Sequence, residues 1–512
     1  MGVVSTSSTD EGSSTDAGSR TDAGSRTDAG SPTAGAGRPE PMDDLVITQH
    51  VLRLKRGELR YVARSGRVVL REEVVEKGVS RGWQARAEMS VTAYTLDDSD
   101  VDLTTRPITF VFNGGPGSSS VWLHLGLLGP RRVDLGDVTA PHPPPYRLVD
   151  NPETLLAASD LVFIDPMSTG HTRAVEGGKA KKYHGFAHDV EQVTELIRLW
   201  CTREDRWMSP KFILGESYGT LRAVAVAERL QERHALMLNG LVLVSSVLDF
   251  GTQDFGQHRW DESCLNFLPT YAAIGNYHGK VKGRLAKVRA EAEDFAAGPY
   301  RAALAAGRRL PAKERANVVR TLSRLTGLSE EYVDRTDLRI EHWRFCTELL
   351  RDRGLTVGRI DGRFTGPARS LIAENMDADP SMDAMNGPFA AALHHYLRAE
   401  LGNRQDLPYE VYANGIKKWS FAEFEGKPIF VADRLERVMR ANPHLRVRVE
   451  YGYFDLATPY HAAQDMVAHL RLPDDAFARI EHEFFETGHM PYLHEPSRKR
   501  ESASIAAFVE RR

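Results

Sequence analysis

Cysteine is scarce in this 512-residue sequence: Cys201, Cys264 and Cys346 are the only three, far apart and never in a Cys-x-x-Cys pair. A disulfide-stapled framework and a cysteine zinc site are thereby disfavoured, and the odd count reads as reduced thiols. A strong charge of one sign is also lacking. The formal net charge is −4, which gives no reason to expect a nucleic acid or an anionic membrane as partner. No run of 18 or more apolar residues occurs, so no segment is expected to span a membrane. Met1 to Pro41 lacks the apolar stretch that export requires, and a cytoplasmic location is the expectation that follows.

What the chain does have is length and 41% hydrophobic residues, enough for a large core and more than one structural unit. Residues 1–42 stand apart as low-complexity sequence, with Thr-Asp-Ala-Gly-Ser recurring from Thr15, Thr21 and Thr27. Too few apolar groups are present there to offset the entropy of ordering, so this tail is expected to be disordered and without chemistry.

Between Val46 and Leu96, β-rich runs at Leu59–Val62, Val68–Val75 and Met89–Leu96 predict an antiparallel edge to a sheet. Continuous apolar runs follow at Ile108–Phe112, Leu161–Ile164, Phe212–Leu214 and Gly240–Val244, the pattern of central strands covered on both faces. Helical patterns lie between them at His188–Trp200 and Leu221–His234, and strands alternating with helices predict a parallel sheet. From Asp249 to Asn414 the sequence becomes helical and charged, as at Val281–Phe295 and Ala312–Leu325. Strand signals return at Pro428–Val431 and Leu445–Tyr453, before a closing helix near Arg500–Val509. The reading is an α/β fold with a mostly parallel central sheet, its core at 43–248 and 415–512. A helical cap inserted at 249–414 would roof the crevice at the C-terminal edge of the sheet.

Four segments carry chemistry. Gly215-Glu216-Ser217-Tyr218-Gly219 follows an apolar strand and opens a helix, the context of a G-x-S-x-G nucleophile elbow. A serine on so sharp a turn takes strained backbone angles and needs small neighbours, while the helix N-terminus offers N–H donors to developing negative charge. Asn113-Gly114-Gly115-Pro116-Gly117-Ser118-Ser119-Ser120 follows another core strand. No Gly-Lys-Ser/Thr comes after it, so it is not a phosphate loop; its glycines suit backbone N–H groups that approach a substrate carbonyl. Asp455 and His489 follow strand signals near the C-terminus. The order Ser217, Asp455, His489 is that of the α/β-hydrolases.

Together these segments resemble the serine carboxypeptidase family (peptidase family S10), above all its bacterial members. Residues 113–120 are similar to the family's NGGPGxSS loop, Phe163-Ile164-Asp165-Pro166 with Thr169-Gly170 to its D-x-P-x-G-x-G-x-S segment, and residues 215–219 to its GESYG elbow. Tyr453–Pro459 and Gly488-His489-Met490 resemble its Asp and His blocks, and Leu268–Tyr271 and Tyr277–Lys280 in the insertion also fit. The resemblance spans roughly residues 45–510 and implies the α/β-hydrolase fold and a carboxypeptidase that works through an acyl-enzyme. It implies Ser217 as nucleophile, His489 as general base and acid, and Asp455 as its orienting carboxylate. It further implies an oxyanion hole from the N–H groups of Gly115 and Tyr218, and a site for the peptide's terminal carboxylate at Asn113, Gly114 and Glu216. Glu216 can serve there only when protonated, because two ionised carboxylates in contact repel; a raised pKa and an acidic optimum are expected. Metal and organic cofactors are not needed. The expected partner is a peptide or small acyl substrate.

The sequence departs from the family pattern at Val111, where a tryptophan is common, and at Leu127, where a second carboxylate often stands. The disulfides of eukaryotic members cannot all form from three cysteines. These departures keep a second reading open, an esterase or acyltransferase using the same three residues. A non-catalytic hydrolase-fold binding protein is a third, and the presence of all three residues speaks against it.

Overall fold

The computed structural model describes residues 40–511, apart from 56, 138–139, 256–260 and 417. The low-complexity tail up to residue 39, read above as disordered, lies outside the described residues.

The edge of the sheet is built from long, twisted antiparallel strands: β1 (Val46–Leu54), β2 (Gly57–Glu76) and β3 (Val79–Leu96). The breaks expected within this region are irregularities of register inside the β2–β3 hairpin, at Leu70/Arg71 and Glu73/Val75, rather than separate short strands. The four continuous apolar runs form β4 (Ile108–Phe112), β5 (Asp160–Ile164), β7 (Lys211–Glu216) and β8 (Gly240–Val244), each buried along its whole length. The two-residue β6 (Arg173–Ala174) pairs β3, and β9 (Arg446–Gly452) and β10 (Ile480–Phe485) complete the sheet. The strand order is β1-β2-β3-β5-β4-β7-β8-β9-β10, parallel from β5 onward.

Alternate residues of the central strands feed separate cores. Phe110, Phe112, Ile213 and Leu241 join the helices α1 (Phe186–Arg203) and α2 (Tyr218–His234) on one face. Val111, Phe163, Leu214 and Val242 meet Ile505 and Phe508 of the closing helix, Glu495–Glu510, on the other. This period-two alternation is why the strand runs had to be apolar throughout. The fold is that of an α/β-hydrolase.

Between β8 and β9 the chain is mainly helical, with α3 (Glu262–Tyr277), α4 (Leu285–Phe295), α5 (Ala312–Thr326) and α6 (Pro380–His395). Helices α3 to α5 share a hydrophobic core in which Tyr271 and Phe345 stack 4.2 Å apart. Two details differ from the sequence reading. Pro428–Val431 is no strand: it touches the main chain beside β8 through an isolated bridge, Asp249 with Phe430, because Pro428 cannot donate at the edge and the helix Ala432–Ala441 begins at once. A short hairpin, Leu355–Val357 with Thr365–Pro367, is present within the insertion, where the charged, Gly-rich sequence shows no strand alternation. Cys201, Cys264 and Cys346 are buried and unbridged. Among the described residues no helix is long and apolar enough to cross a membrane.

Candidate active site

The strand β7 ends at Glu216 and α2 begins at Tyr218, so Ser217 alone makes the turn. Its backbone sits at φ 60°, ψ −130°, a sparsely populated region that surroundings must hold in place. Its N–H donates to Val244 O at 3.0 Å. A Cβ on Gly215 would lie 2.3 Å from Gly219 O, and one on Gly219 3.0 Å from Phe112 O, so the glycines flanking the elbow are a steric necessity. Ser217 is partly exposed while both its neighbours are buried.

The loop after β4 lies on this elbow. A Cβ on Gly114 would stand 2.5 Å from Tyr218 N and 2.6 Å from Gly219 N, and Gly115 takes φ +103°, which disfavours a side chain. Neither the Gly115 nor the Tyr218 N–H finds an acceptor among the described residues; such donors at a helix start suit an oxyanion. The loop is held at its far end by Asp165, whose carboxylate accepts from Ser120 N at 2.9 Å, Ser120 Oγ at 2.8 Å, Ser90 Oγ at 3.0 Å and Tyr409 OH at 2.9 Å. At its near end the Asn113 carbonyl accepts from Arg222 at 2.7 Å. Arg222 is in turn paired with Asp189 at 2.7 Å, both fully buried. Neither Arg222 nor Asp189 stood out in the sequence, where each is one charge on an otherwise amphipathic helix.

Asp455 and His489 lie in contact. His489 Nδ1 is 2.7 Å from Asp455 Oδ2, and both side chains are buried. Asp455 Oδ1 accepts from the N–H groups of Ala457 (2.7 Å) and Thr458 (2.9 Å), and Oδ2 from Thr458 Oγ1 (2.7 Å). The carboxylate is thus fixed before it orients the imidazole. Burial works against the imidazolium, but Asp455, and Glu216 after it, outweigh that and hold His489 above its ordinary pKa.

The His489 carbonyl accepts from Ser245 Oγ at 2.6 Å, next to the Val244 that receives Ser217 N–H, so one strand end ties His489 and the elbow together. The Ser217 hydroxyl makes no hydrogen bond among the described residues; nucleophile–base bonds are often long until substrate is in place.

The insertion's hairpin loop joins in. Leu456 N donates to Arg359 O, Gly362 N to Phe454 O, His489 N to Ile360 O at 2.7 Å, and Gly488 N to Asp361 Oδ2 at 3.0 Å. Residues 359–362 therefore clamp the loops of Asp455 and His489 to each other, a contact invisible to sequence reading because it joins segments about a hundred residues apart.

Glu216 is buried against this centre. Asn113 Nδ2 donates to its Oε1 at 2.9 Å and Tyr492 OH to its Oε2 at 2.6 Å. Asn113 Oδ1 accepts from Leu123 N at 3.2 Å, which sets the amide's orientation. Burial pushes Glu216 up to about 7 from its ordinary 4.5, against the pull of His489, Tyr492 and Asn113. Of the departures from the family pattern, Val111 and Leu127 are both fully buried apolar residues of one core cluster. Leu127 brings no carboxylate to the site, and Tyr492 partners Glu216 instead. Among the described residues no cluster of histidine, cysteine, aspartate or glutamate is arranged to hold a metal.

Residues 89–256 match the sequence model of the serine carboxypeptidase family. Among solved structures, Kex1Δp, a prohormone-processing carboxypeptidase from Saccharomyces cerevisiae, superposes with a TM-score of 0.51. It is 16% identical, over 88% of this chain and 90% of that one. A proline iminopeptidase from Mycobacterium smegmatis, also 16% identical, covers 86% of this chain and 97% of its own with a TM-score of 0.35. No protein of curated function matches. The Kex1Δp likeness establishes the fold, and the matched segment carries both the glycine-rich loop and the serine elbow. The chain thus carries, at residues 89–256 of 512, a segment similar to the serine carboxypeptidases, set in an α/β-hydrolase fold.

Proposed function

We propose that the protein is a serine-type carboxypeptidase that releases C-terminal residues from peptides. The observation that carries this is the Asn113–Glu216 pair: a fully buried carboxyl group, held near neutral pKa, set beside the His489–Asp455 pair. The triad chemistry of an ester or acyl-transfer site does not need such an acid. A free peptide carboxylate does, because a protonated Glu216 can donate to it while Asn113 holds the other side.

In this reading Ser217 Oγ attacks the carbonyl carbon of the last peptide bond as His489 Nε2 takes its proton. Asp455 stabilises the imidazolium, and the N–H groups of Gly115 and Tyr218 receive the oxyanion. The C–N bond breaks as His489 returns the proton to the departing amine, leaving an acyl ester on Ser217. Water, deprotonated by His489, then cleaves that ester. Asn113, Gly114 and Glu216 confine the attack to the last peptide bond by binding the carboxylate just beyond it.

The test is release of the C-terminal amino acid from an N-blocked dipeptide across pH 4 to 8, with Ser217→Ala as control. Release that depends on Ser217 and disappears when the dipeptide is amidated supports a carboxypeptidase. Ser217-dependent hydrolysis of a simple activated ester, with no dipeptide cleavage at any pH, would replace this reading with the esterase or acyltransferase.

A further inference from the structure

Tyr492 lies in the single turn Pro491–Leu493 that follows His489, and it is buried. Its ring occupies space that only a glycine at 126 leaves: a Cβ on Gly126 would stand 2.6 Å from two atoms of the ring. From there its hydroxyl reaches Glu216 Oε2 at 2.6 Å, the short distance of a charge-assisted O–H···O⁻ bond. We infer that Tyr492 is a positioning residue that sets the pH range over which Glu216 receives a substrate carboxylate. This rests on the carboxypeptidase reading of the same site.

The physical reason lies in what a phenol can do. Both oxygens of an ionised Glu216 accept, one from Asn113 and one from Tyr492, and donors to the charged form of an acid favour that form. Burial and the adjacent Glu216 push the Tyr492 hydroxyl well above its ordinary range, so it remains a donor throughout the working pH. The other groups acting on Glu216 come from every element around it. His489 favours its anion and Asp455 opposes it, Tyr412 approaches from the end of the insertion, and Glu501 from the closing helix. Burial first, and Glu450 second, hold Glu501 well above the usual carboxylate range. Tyr492 is therefore, after His489 and with Asn113, one of the groups that limit how far burial can raise Glu216, and it does so through a hydrogen bond that a single substitution removes. Without it Glu216 would keep its proton to higher pH, and carboxylate binding would persist there.

The experiment is KM for an N-blocked dipeptide as a function of pH, in wild type and in Tyr492→Phe. Removing the hydroxyl should move the pH at which KM begins to rise upward by on the order of one unit. The acid limb of kcat, which reports His489, should stay in place. A purely structural role would change KM at every pH alike. When Tyr492→Phe is combined with Glu216→Gln, no titration remains to move, so the double variant should show no such rise. An unmoved midpoint, a downward shift, or the same shift in the Glu216→Gln background would overturn the inference.

If Tyr492→Phe does not fold, a ring-fluorinated tyrosine at 492, a stronger donor with the same shape, must lower the midpoint. If wild type releases no residue at any pH, the carboxypeptidase reading has failed on its own. The ¹³C shift of the Glu216 carboxyl then still decides the role of Tyr492, because its midpoint must rise in Tyr492→Phe.

Discussion

Glu216→Gln is the sharpest single perturbation of this site, because glutamine has the shape of the protonated acid and cannot ionise. In the folded protein burial raises Glu216 from 4.5 to about 7. For an acid with a raised native pKa, the folded state binds more protons than the unfolded state between those two values. Stability conferred by this residue is therefore full at low pH and lost as pH climbs from about 4.5 to about 7. At 1.36 kcal/mol per unit the loss is roughly 3 kcal/mol. Urea unfolding of wild type and Glu216→Gln at pH 4 and pH 8 reads it directly: the variant should gain about 3 kcal/mol on wild type between the two pH values. Groups whose titration does not depend on Glu216 drop out of the difference. A difference that is the same at both pH values would refute the raised pKa and with it the recognition of a carboxylate by a neutral Glu216.

The same variant has a kinetic signature. The productive microstate has Glu216 protonated and His489 neutral, and moving one proton between them gives the unproductive ion pair. The two groups titrate as a coupled system, so kcat/KM on a peptide should be bell-shaped, with an acid limb from His489 and an alkaline limb from Glu216. In Glu216→Gln the alkaline limb should vanish, so the variant loses less against wild type at neutral than at acidic pH. An ester without a carboxylate should show the acid limb alone in wild type.

Other residues give further tests. Ser217→Ala should abolish turnover with folding intact, and Asp455→Asn should lower kcat by about 10⁴ by holding His489 in the wrong tautomer; steady-state kinetics on one peptide check both. Gly114→Ala forces a methyl against Tyr218 N, and a misplaced oxyanion loop should cut kcat by about 10² or more on ester and peptide alike. A change under twofold would remove the loop from the site. Arg222→Ala leaves Asp189 buried without its partner and should destabilise by about 3–5 kcal/mol in urea unfolding, whereas Arg222→Met with Asp189→Leu should recover most of that.

Much of this protein was legible in its residue order because the features concerned are local. A fully covered strand must be apolar at every position, so β4, β5, β7 and β8 announce themselves. A serine forced to φ 60° needs glycines beside it, so the elbow has a signature five residues long. The order of Ser217, Asp455 and His489 follows from which strand ends carry them.

What the order of residues left undetermined was decided by contacts between distant segments. The raised pKa of Glu216 comes first from burial, which only the closed tertiary structure supplies. Its partner Tyr492 stands 276 positions away and is one tyrosine among 16. Arg222 and Asp189 looked like ordinary helix charges until packing placed them under the glycine-rich loop. The clamp from residues 359–362 is made mainly by backbone groups, which any sequence possesses. Strain and apolar burial along a strand are written in neighbouring residues; desolvation and hydrogen bonding across a site depend on which segments the fold brings together, and that is settled only when the whole chain has packed.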